Sequence, residues 1–432
     1  MANIRRLTAV ALISVLALSA TGCATAAGDD KASAGDSFTY WSMWKEGEAQ
    51  QKVLAEAIAD FEKETGIEVD VEWMGRDNVK KVVATLNSRK VPDLIDGSYA
   101  NLAPILAEAG QAAPLTDAFK ADAGDAAVND VIPSQYLGVK GLYLDDGEPW
   151  MLPYSLSSDA IWFNAAAHPE LAETPPATWD DFIATLEQFK AEGVTPIAAD
   201  GDIPGYNAYW YSSAIVRIAG VGAMRDMAAD ETGEAWESPE ALEAAKTVAQ
   251  LVDGGYLAPG YDASKWPAQQ QLWADNGAAL LFNGSWIPTE TATYAADGFE
   301  YASFPYPSLT GENYARSDFV GFAVPKKADG SAAAQQFAAH LLGADYQQAL
   351  ATDAKVLPIR DGIDVSPELA TVQKALAEAD ELYQQNDGIA FSGYNEKLFW
   401  PASDRLFLGK TTPEQFVQEM KTGQIEYWEN NS

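Results

Sequence analysis

The chain has 432 residues, more than a single hydrophobic core supports, so two domains or two lobes are expected. Its formal charge of −35 makes nucleic acid and anionic lipid headgroups poor partners, and a hydrophobic content of 47% is that of a globular chain, not a disordered one. One cysteine closes no internal disulfide and builds no Cys-rich zinc site.

That cysteine, Cys23, follows a basic start at Arg5 and Arg6, an uncharged apolar run from Leu7 to Ala20, and Thr21-Gly22. The order is that of a secretory signal, and the run is too short to span a membrane. It resembles a bacterial lipoprotein signal (1–22), in which the cysteine after the cut carries the lipid. Ala20 stands where such signals usually have Leu. The rival is Ala24-Thr25-Ala26, an ordinary cleavage motif that would release a soluble protein. Residues 23–36 are small and polar and read as a flexible tether. The protein is therefore expected outside the cytoplasm, at the outer face of the membrane if Cys23 is lipidated.

The mature chain opens with "SFTYWSMW" at 37–44, rich in β-branched and aromatic residues and read as a strand. Val53, Leu54, Ala57, Ile58 and Phe61 then recur at helical spacing, and Gly66 stands at the C-cap position. "IEVDVEW" alternates as a half-buried strand. Strand, helix and strand imply a right-handed parallel crossover and an α/β fold. A second helical run, "NVKKVVATLNSRK", leads to the short strand "DLIDG". Ligands of such sheets sit beyond the carboxyl ends of the strands. Those ends carry Trp41 to Trp44, Trp73 to Arg76, and Asp96 to Tyr99. No glycine-rich phosphate loop follows the first strand.

Further along, "EPWMLPYSLSSDAIWFN" is strand-like after Pro153. Thr178 is placed to cap a helix with Phe182, Leu186 and Phe189 on one face. "TPIAADG" reads as a short strand and turn. Tyr206, Tyr209, Trp210 and Tyr211 cluster at the entrance of the next helix. Ser238 caps another, ended by Gly254-Gly255. "GAALLFNGSWIP" is an apolar strand running into a turn and Trp286, "DFVGFAVP" is a further strand, and four more helical segments complete the chain.

The pieces "FEKETGIEVDVEW", "VPDLID", "LPYSLSSDAIWFN", "PATWDDFIATLEQFKAEGVTPIA", "AALLFNGSW", "FVGFAVPKKA" and "LGKTTPEQFVQEM", in this order, give the chain its resemblance to the extracellular solute-binding proteins of bacterial carbohydrate ABC importers, the maltose-binding-protein-like group. The resemblance covers essentially the whole mature chain. It implies a two-lobed periplasmic-binding-protein fold of type II, with residues 37–153 and 322–386 in lobe 1 and 154–321 and 387–432 in lobe 2. Three crossings would join the lobes, near Pro153, near Phe319 to Gly321, and near Asn386 to Tyr394. A sugar, an oligosaccharide rather than a monosaccharide, would bind between the lobes of a monomer. The closed form would dock on an ABC importer permease, with Cys23 holding the receptor beside it. No cofactor, metal or catalytic residue is expected.

A sugar site needs flat aromatics for the C–H face and amides or carboxylates for the hydroxyls. Trp286 and Trp400 stand where this family commonly has an aromatic on sugar. Trp44, Trp73 and Trp210 occupy crevice-facing ends, with Tyr99 and Tyr206 beside them, and core packing is the alternative for each tryptophan. Asp96, Glu46, Ser157 and Asn395 are candidates for the hydroxyls. Arg76 and Arg360 lie in loops, where a solvated face is the other reading. Trp162 and Trp179 belong to amphipathic patterns and are assigned to the core. The rival functions are a secreted glycoside hydrolase, which needs two positioned carboxylates, and a two-lobed receptor for peptide or metal. No HExxH, GxSxG or EF-hand spacing is present.

Overall fold

The computed structural model describes residues 37–88 and 90–431. The expected lipidation site at Cys23, the signal and the tether lie outside the described residues.

Strand β1 (Ser37–Ser42) pairs in parallel with β2 (Glu68–Trp73) and with β3 (Leu94–Ser98). Between β1 and β2 runs the helix Ala49–Thr65, which buries the predicted face of Val53, Leu54, Ala57, Ile58 and Phe61. Gly66 ends that helix at φ 74, a left-handed conformation that glycine adopts without a Cβ penalty. The Val69 amide then donates to Glu62 Oε1 at 2.8 Å, fixing the return into β2.

The first sheet is completed by β4 (Met151–Ser157), β10 (Asp318–Ala323) and β11 (Leu357–Pro358), in the order β11-β4-β10-β3-β1-β2. A second sheet, in the order β6-β7-β5-β8, comprises β5 (Asp159–Asn164), β6 (Ile197–Ala198), β7 (Leu280–Gly284) and β8 (Tyr301–Phe304). A parallel pair, β9 (Tyr314–Arg316) with β12 (Glu381–Tyr383), stands apart from both. Two sheets with helices around each make the two-lobed α/β architecture. Thr178 and Ser238 cap their helices as expected, each accepting a backbone N–H at 3.2 Å.

The strands change sheet later than the sequence suggests in one place and earlier in another. β4 and β10 pair from Asp318↔Ser157 to Ala323↔Met151, so the first passage falls at Ser158, not Pro153, and the second at Ser317, before Phe319. Pro153 is accommodated at the irregularity between Val320 and Gly321. In the third passage Asn386 and Asp387 both adopt positive φ, 51° and 54°. Asp387 is buried there and accepts the amides of Gly222 and Met224 at 2.8 and 2.9 Å.

Buried charges tie the passages together. Arg316 Nη1 donates to Asp318 at 2.6 Å, and its Nε forms an ion pair with Asp159 at 2.9 Å. The guanidinium also lies 4.3 Å from the Tyr209 ring. Asp318 Oδ1 in turn accepts the Gln385 amide at 2.6 Å. One arginine thus links the start of β5, the start of β10 and the third passage.

The registers decide which edges face each other. β4 is parallel to β3, and β10 starts where both end, with Asp318 opposite Ser157 and Val320 opposite Ser98. Ser42, Trp73, Ser98 and Ser157 therefore share one edge of the first sheet. Across Ser158, Asp159 pairs with Gly284, the last residue of β7, and β6 runs parallel to β7. The carboxyl ends of β6 and β7 hence lie at the edge of the second sheet next to the passage. The two carboxyl edges meet there, where sheets of this kind bind ligand.

Candidate functional site

On the lobe 1 side, Asp96 is fully buried beneath the edge. Its Oδ2 accepts from the hydroxyls of Tyr40 (2.8 Å), Tyr154 (2.9 Å) and Ser42 (3.2 Å), and its Oδ1 from the Met43 amide (2.6 Å). Burial pushes its carboxyl up to about 6, and these donors oppose that rise. The expectation that Asp96 meets ligand hydroxyls is corrected: its acceptors are occupied from within the lobe, and its task is to fix the strand ends. Tyr154 passes that order on by accepting the Trp44 indole N–H at 2.7 Å.

Trp44 is itself buried, with the Arg76 guanidinium 4.5 Å from its ring centre. Arg76 is exposed and anchored by the Met43 carbonyl at 2.5 Å and by Glu48 at 3.1 Å. Arg76 thus covers Trp44 at the rim, beside exposed Glu46. Trp73 is half-buried and stands edge-on to Tyr40. Ser157 is half-buried at the end of β4. Tyr99 is buried against Trp150, which pushes its hydroxyl up to about 12 and keeps it neutral. Arg360 does not belong to this edge group. Its guanidinium is held by Asp125 at 2.6 Å and by the Leu342 carbonyl at 2.9 Å, so its expected ligand contact is corrected to a structural ion pair.

On the lobe 2 side, Trp286 follows β7 and packs against two hydrophobic clusters, one including Trp162, Leu281 and Ile287 and the other Tyr209 and Phe282. A Cβ on Gly284 would lie 2.2 Å from the Trp286 ring, so the absent side chain gives the indole its seat at the strand end. Tyr206 lies 5.9 Å from Trp286 at 35°, and both rings are partly exposed. Trp400 is also partly exposed. It lies against Gly205, the neighbour of Tyr206, and its indole N–H donates to Asn386 at 3.4 Å. Trp286, Tyr206 and Trp400 therefore gather around the start of the helix Pro204–Ala219.

Two other lobe 2 candidates fall elsewhere. Trp210 is 3% exposed and packs on Phe282 at 4.6 Å, with Phe182, Tyr306 and Phe407 around it. It is core: it shares a helix face with Tyr206 but lies one turn further along, where the helix has run from the edge into the packed interior. Asn395 is buried, its amide N–H donates to the Ile389 carbonyl at 3.1 Å, and its Oδ1 has no partner among the described residues.

The sequence reading passed over four polar residues at this edge. Asp200 follows β6 and is 3% exposed; its Oδ1 accepts the Gln269 amide at 3.1 Å, and its Oδ2 has no partner among the described residues. Glu290, one turn past Trp286, buries an unpartnered Oε2. Gln270 is fully buried with both amide atoms unpartnered, as is the Gln269 Oε1. Burial pushes Asp200 up to about 6, and burial together with the Asp200 charge raises Glu290. Burial raises the neighbouring Tyr206 hydroxyl, both carboxylates add to that rise, and the Trp286 indole beside it opposes it. The turn "AADG" and the paired glutamines were the available signals, but only the fold brings them together.

Among the described residues no group of three or more His, Cys, Asp or Glu is arranged to hold a metal ion, and no helix is long and apolar enough to cross a membrane.

Residues 56–389 match the family model described as bacterial extracellular solute-binding protein. A probable sugar-binding periplasmic protein of Mesorhizobium japonicum is 25% identical over 230 residues, 53% of each chain. The diacetylchitobiose binding protein NgcE of Streptomyces coelicolor is 24% identical over 51% of this chain and 46% of its own. The match thus spans about half the length of these curated relatives. Among solved structures, a chitin oligosaccharide binding protein superposes with a TM-score of 0.73 at 22% identity, covering 91% of this chain and 98% of its own. The substrate-binding protein Lmo0181 of Listeria monocytogenes in complex with cycloalternan gives 0.68 at 18% identity, covering 91% and 99%.

Proposed function

Because the chain belongs to the bacterial extracellular solute-binding proteins, we propose that it captures a sugar, an oligosaccharide rather than a monosaccharide, between its two lobes and delivers it to an ABC importer permease. A lipid on Cys23 would hold it at the outer face of the membrane. The observation that carries the sugar reading is the lobe 2 edge, where partly exposed Trp286, Tyr206 and Trp400 gather at the start of one helix and Asp200 and Glu290, each with a buried unpartnered oxygen, lie near Tyr206. Flat rings beside unspent acceptors and donors are what a molecule with an apolar face and a ring of hydroxyls requires. Sugar-binding names among the relatives and oligosaccharides among the structural neighbours support the same ligand class. Across the cleft, Arg76, Glu46, Trp73 and Ser157 offer the opposing surface.

A hydrolase would also want two carboxylates, and Asp200 and Glu290 are two. The relatives carry binding-protein names, which favours a receptor over a hydrolase. A receptor leaves its ligand intact, so the test reads binding and integrity together. Melting temperature and tryptophan fluorescence are followed against oligosaccharides, with peptides, amino acids and divalent metals as controls. One sugar class is expected to raise the melting temperature and shift the fluorescence. The recovered sugar should be unchanged, and Trp286→Ala should weaken binding about ten- to a hundredfold. Stabilisation by a peptide or metal and by no sugar would remove the sugar reading, and cleavage of the sugar would remove the receptor reading.

A further inference from the structure

We propose that the lobe 2 wall selects a sugar carrying a protonated amine, an amino-sugar oligomer or aminocyclitol glycoside, whose ammonium group docks between Asp200 and Glu290. The inference rests on the sugar-receptor reading and names the ligand's charge.

The buried acids elsewhere in the fold are satisfied internally. Asp96 has four donors, Asp387 two backbone amides, and Asp159 and Asp318 share Arg316. Asp200 and Glu290 are different. Neither is in an ion pair among the described residues, and each buries an oxygen with no partner. Gln269 donates its backbone N–H to Asp200, and the Gln270 amide lies against the Glu290 carboxyl and favours its charged form. The titratable groups that act on the pair are Asp202, Tyr206 and Tyr294, and Lys265 lies on the adjoining turn, whose Ser264 and Trp266 bond Gly201 and Asp202, without an ion pair to either acid among the described residues. Asp202 is spent on the amide of Trp266 at 2.7 Å and adds a further negative charge beside Asp200.

A neutral sugar closing over this wall would dry two like charges without offsetting them. An ammonium group has three N–H donors, and the free oxygens of Asp200, Glu290 and the glutamine amides are matching acceptors. Charge and hydrogen bonding then favour the same ligand. Trp286 and Tyr206, next to the pair, would take the ring that bears the amine, with a cation over an aromatic face as an added attraction. The overall charge of −35 steers such a ligand toward the protein.

The test is calorimetric titration of the purified protein with glucosamine oligomers and aminocyclitol glycosides. Each is compared with its N-acetylated form, which keeps the ring and removes the charge, and with neutral glucose oligomers of matched length. At pH 7 the free amine is expected to bind at least tenfold tighter than its acetylated form. That ratio should shrink toward one at pH 5, where Asp200 holds its proton, and at pH 7 in Asp200→Asn and in Glu290→Gln. Melting temperature without ligand verifies that each variant is folded, and the pH series tests the wild-type protein should one variant fail to fold. Equal or tighter binding of the acetylated or neutral sugars would overturn the cation selectivity and leave the sugar receptor standing. Binding of spermidine as tight as that of any amino sugar would overturn it in favour of a plain amine site. Binding by no carbohydrate at all would remove the sugar reading beneath it.

Discussion

Trp286 owes its position to a residue with no side chain. The indole lies across Gly284 at the end of β7, with Tyr206 beside it and two hydrophobic clusters behind it. A methyl group at position 284 would overlap the ring, and the indole is rigid, so the whole plane must shift or tilt. Gly284→Ala is therefore expected to weaken ligand binding about tenfold while leaving melting within a few degrees of the parent, the scale of one misplaced aromatic contact. Calorimetric titration alongside thermal melting separates the two effects. An unchanged affinity would show that Trp286 does not meet the ligand. The residues behind the lobe 1 rim act in the same indirect way. Asp96 is spent within its lobe: through Tyr154 it orders Trp44, and through Met43 it orders the loop that holds Arg76.

At the scale of elements, the passages between the sheets depend on one buried cation. Arg316→Met would leave Asp159 and Asp318 buried without their partner, and truncating one side of such a cluster costs about 3–5 kcal/mol. Burial already raises Asp318, and Arg316 opposes that rise. In the variant Asp318 should therefore hold its proton to higher pH, and the loss of stability should be smaller at pH 5 than at pH 8. Chemical denaturation at the two pH values measures both; a variant as stable as the parent would show that the arginine is not what secures the passages. This cluster also marks where the sequence stopped being legible. The strand–helix–strand opening could be read because its signals are local: the spacing of Val53 to Phe61, the C-cap at Gly66, the alternation in β2. The ends of β4 and β10 could not, since their pairing joins residues far apart in the chain. The same holds for the site. The candidates Trp286, Tyr206 and Trp400 could be named from aromatic type and family position, whereas the burial of Trp210 could not, because residue type does not say how far along a helix the core begins. Asp200, Gln269, Gln270 and Glu290 were missed because no spacing connects them and only the edge of the second sheet gathers them.

Over the whole molecule, burial and net charge act in the same direction on pH dependence. Asp96, Asp200 and Asp387 are each pushed up to about 6 in the folded chain from an ordinary value of 3.8. A carboxyl whose folded pKa is raised contributes stability that is complete below about 4 and is lost as pH rises through about 6. Self-repulsion in a chain of formal charge −35 also grows as the carboxylates ionise. Asp230, Glu312 and Glu368 work in the other direction. Hydrogen bonds to the backbone and to Thr232, Thr310, Ser366 and Lys355 hold them below the usual carboxylate range. Their stability is present above that range and is lost as pH falls through it. The two sets together place the stability maximum on the acidic side of neutral. Melting temperature is expected to rise by a few degrees, roughly the response to one or two kcal/mol, from pH 7.5 to about 5 and to fall below about 4. Added salt should raise it at pH 7.5 more than at pH 5, because only the repulsive part is screened. A melting temperature that falls steadily from pH 7.5 to 5 would mean that the three buried acids are stabilised as anions. For Asp200 that outcome would call for a cation already provided by the protein, which is the place the amino sugar is proposed to fill.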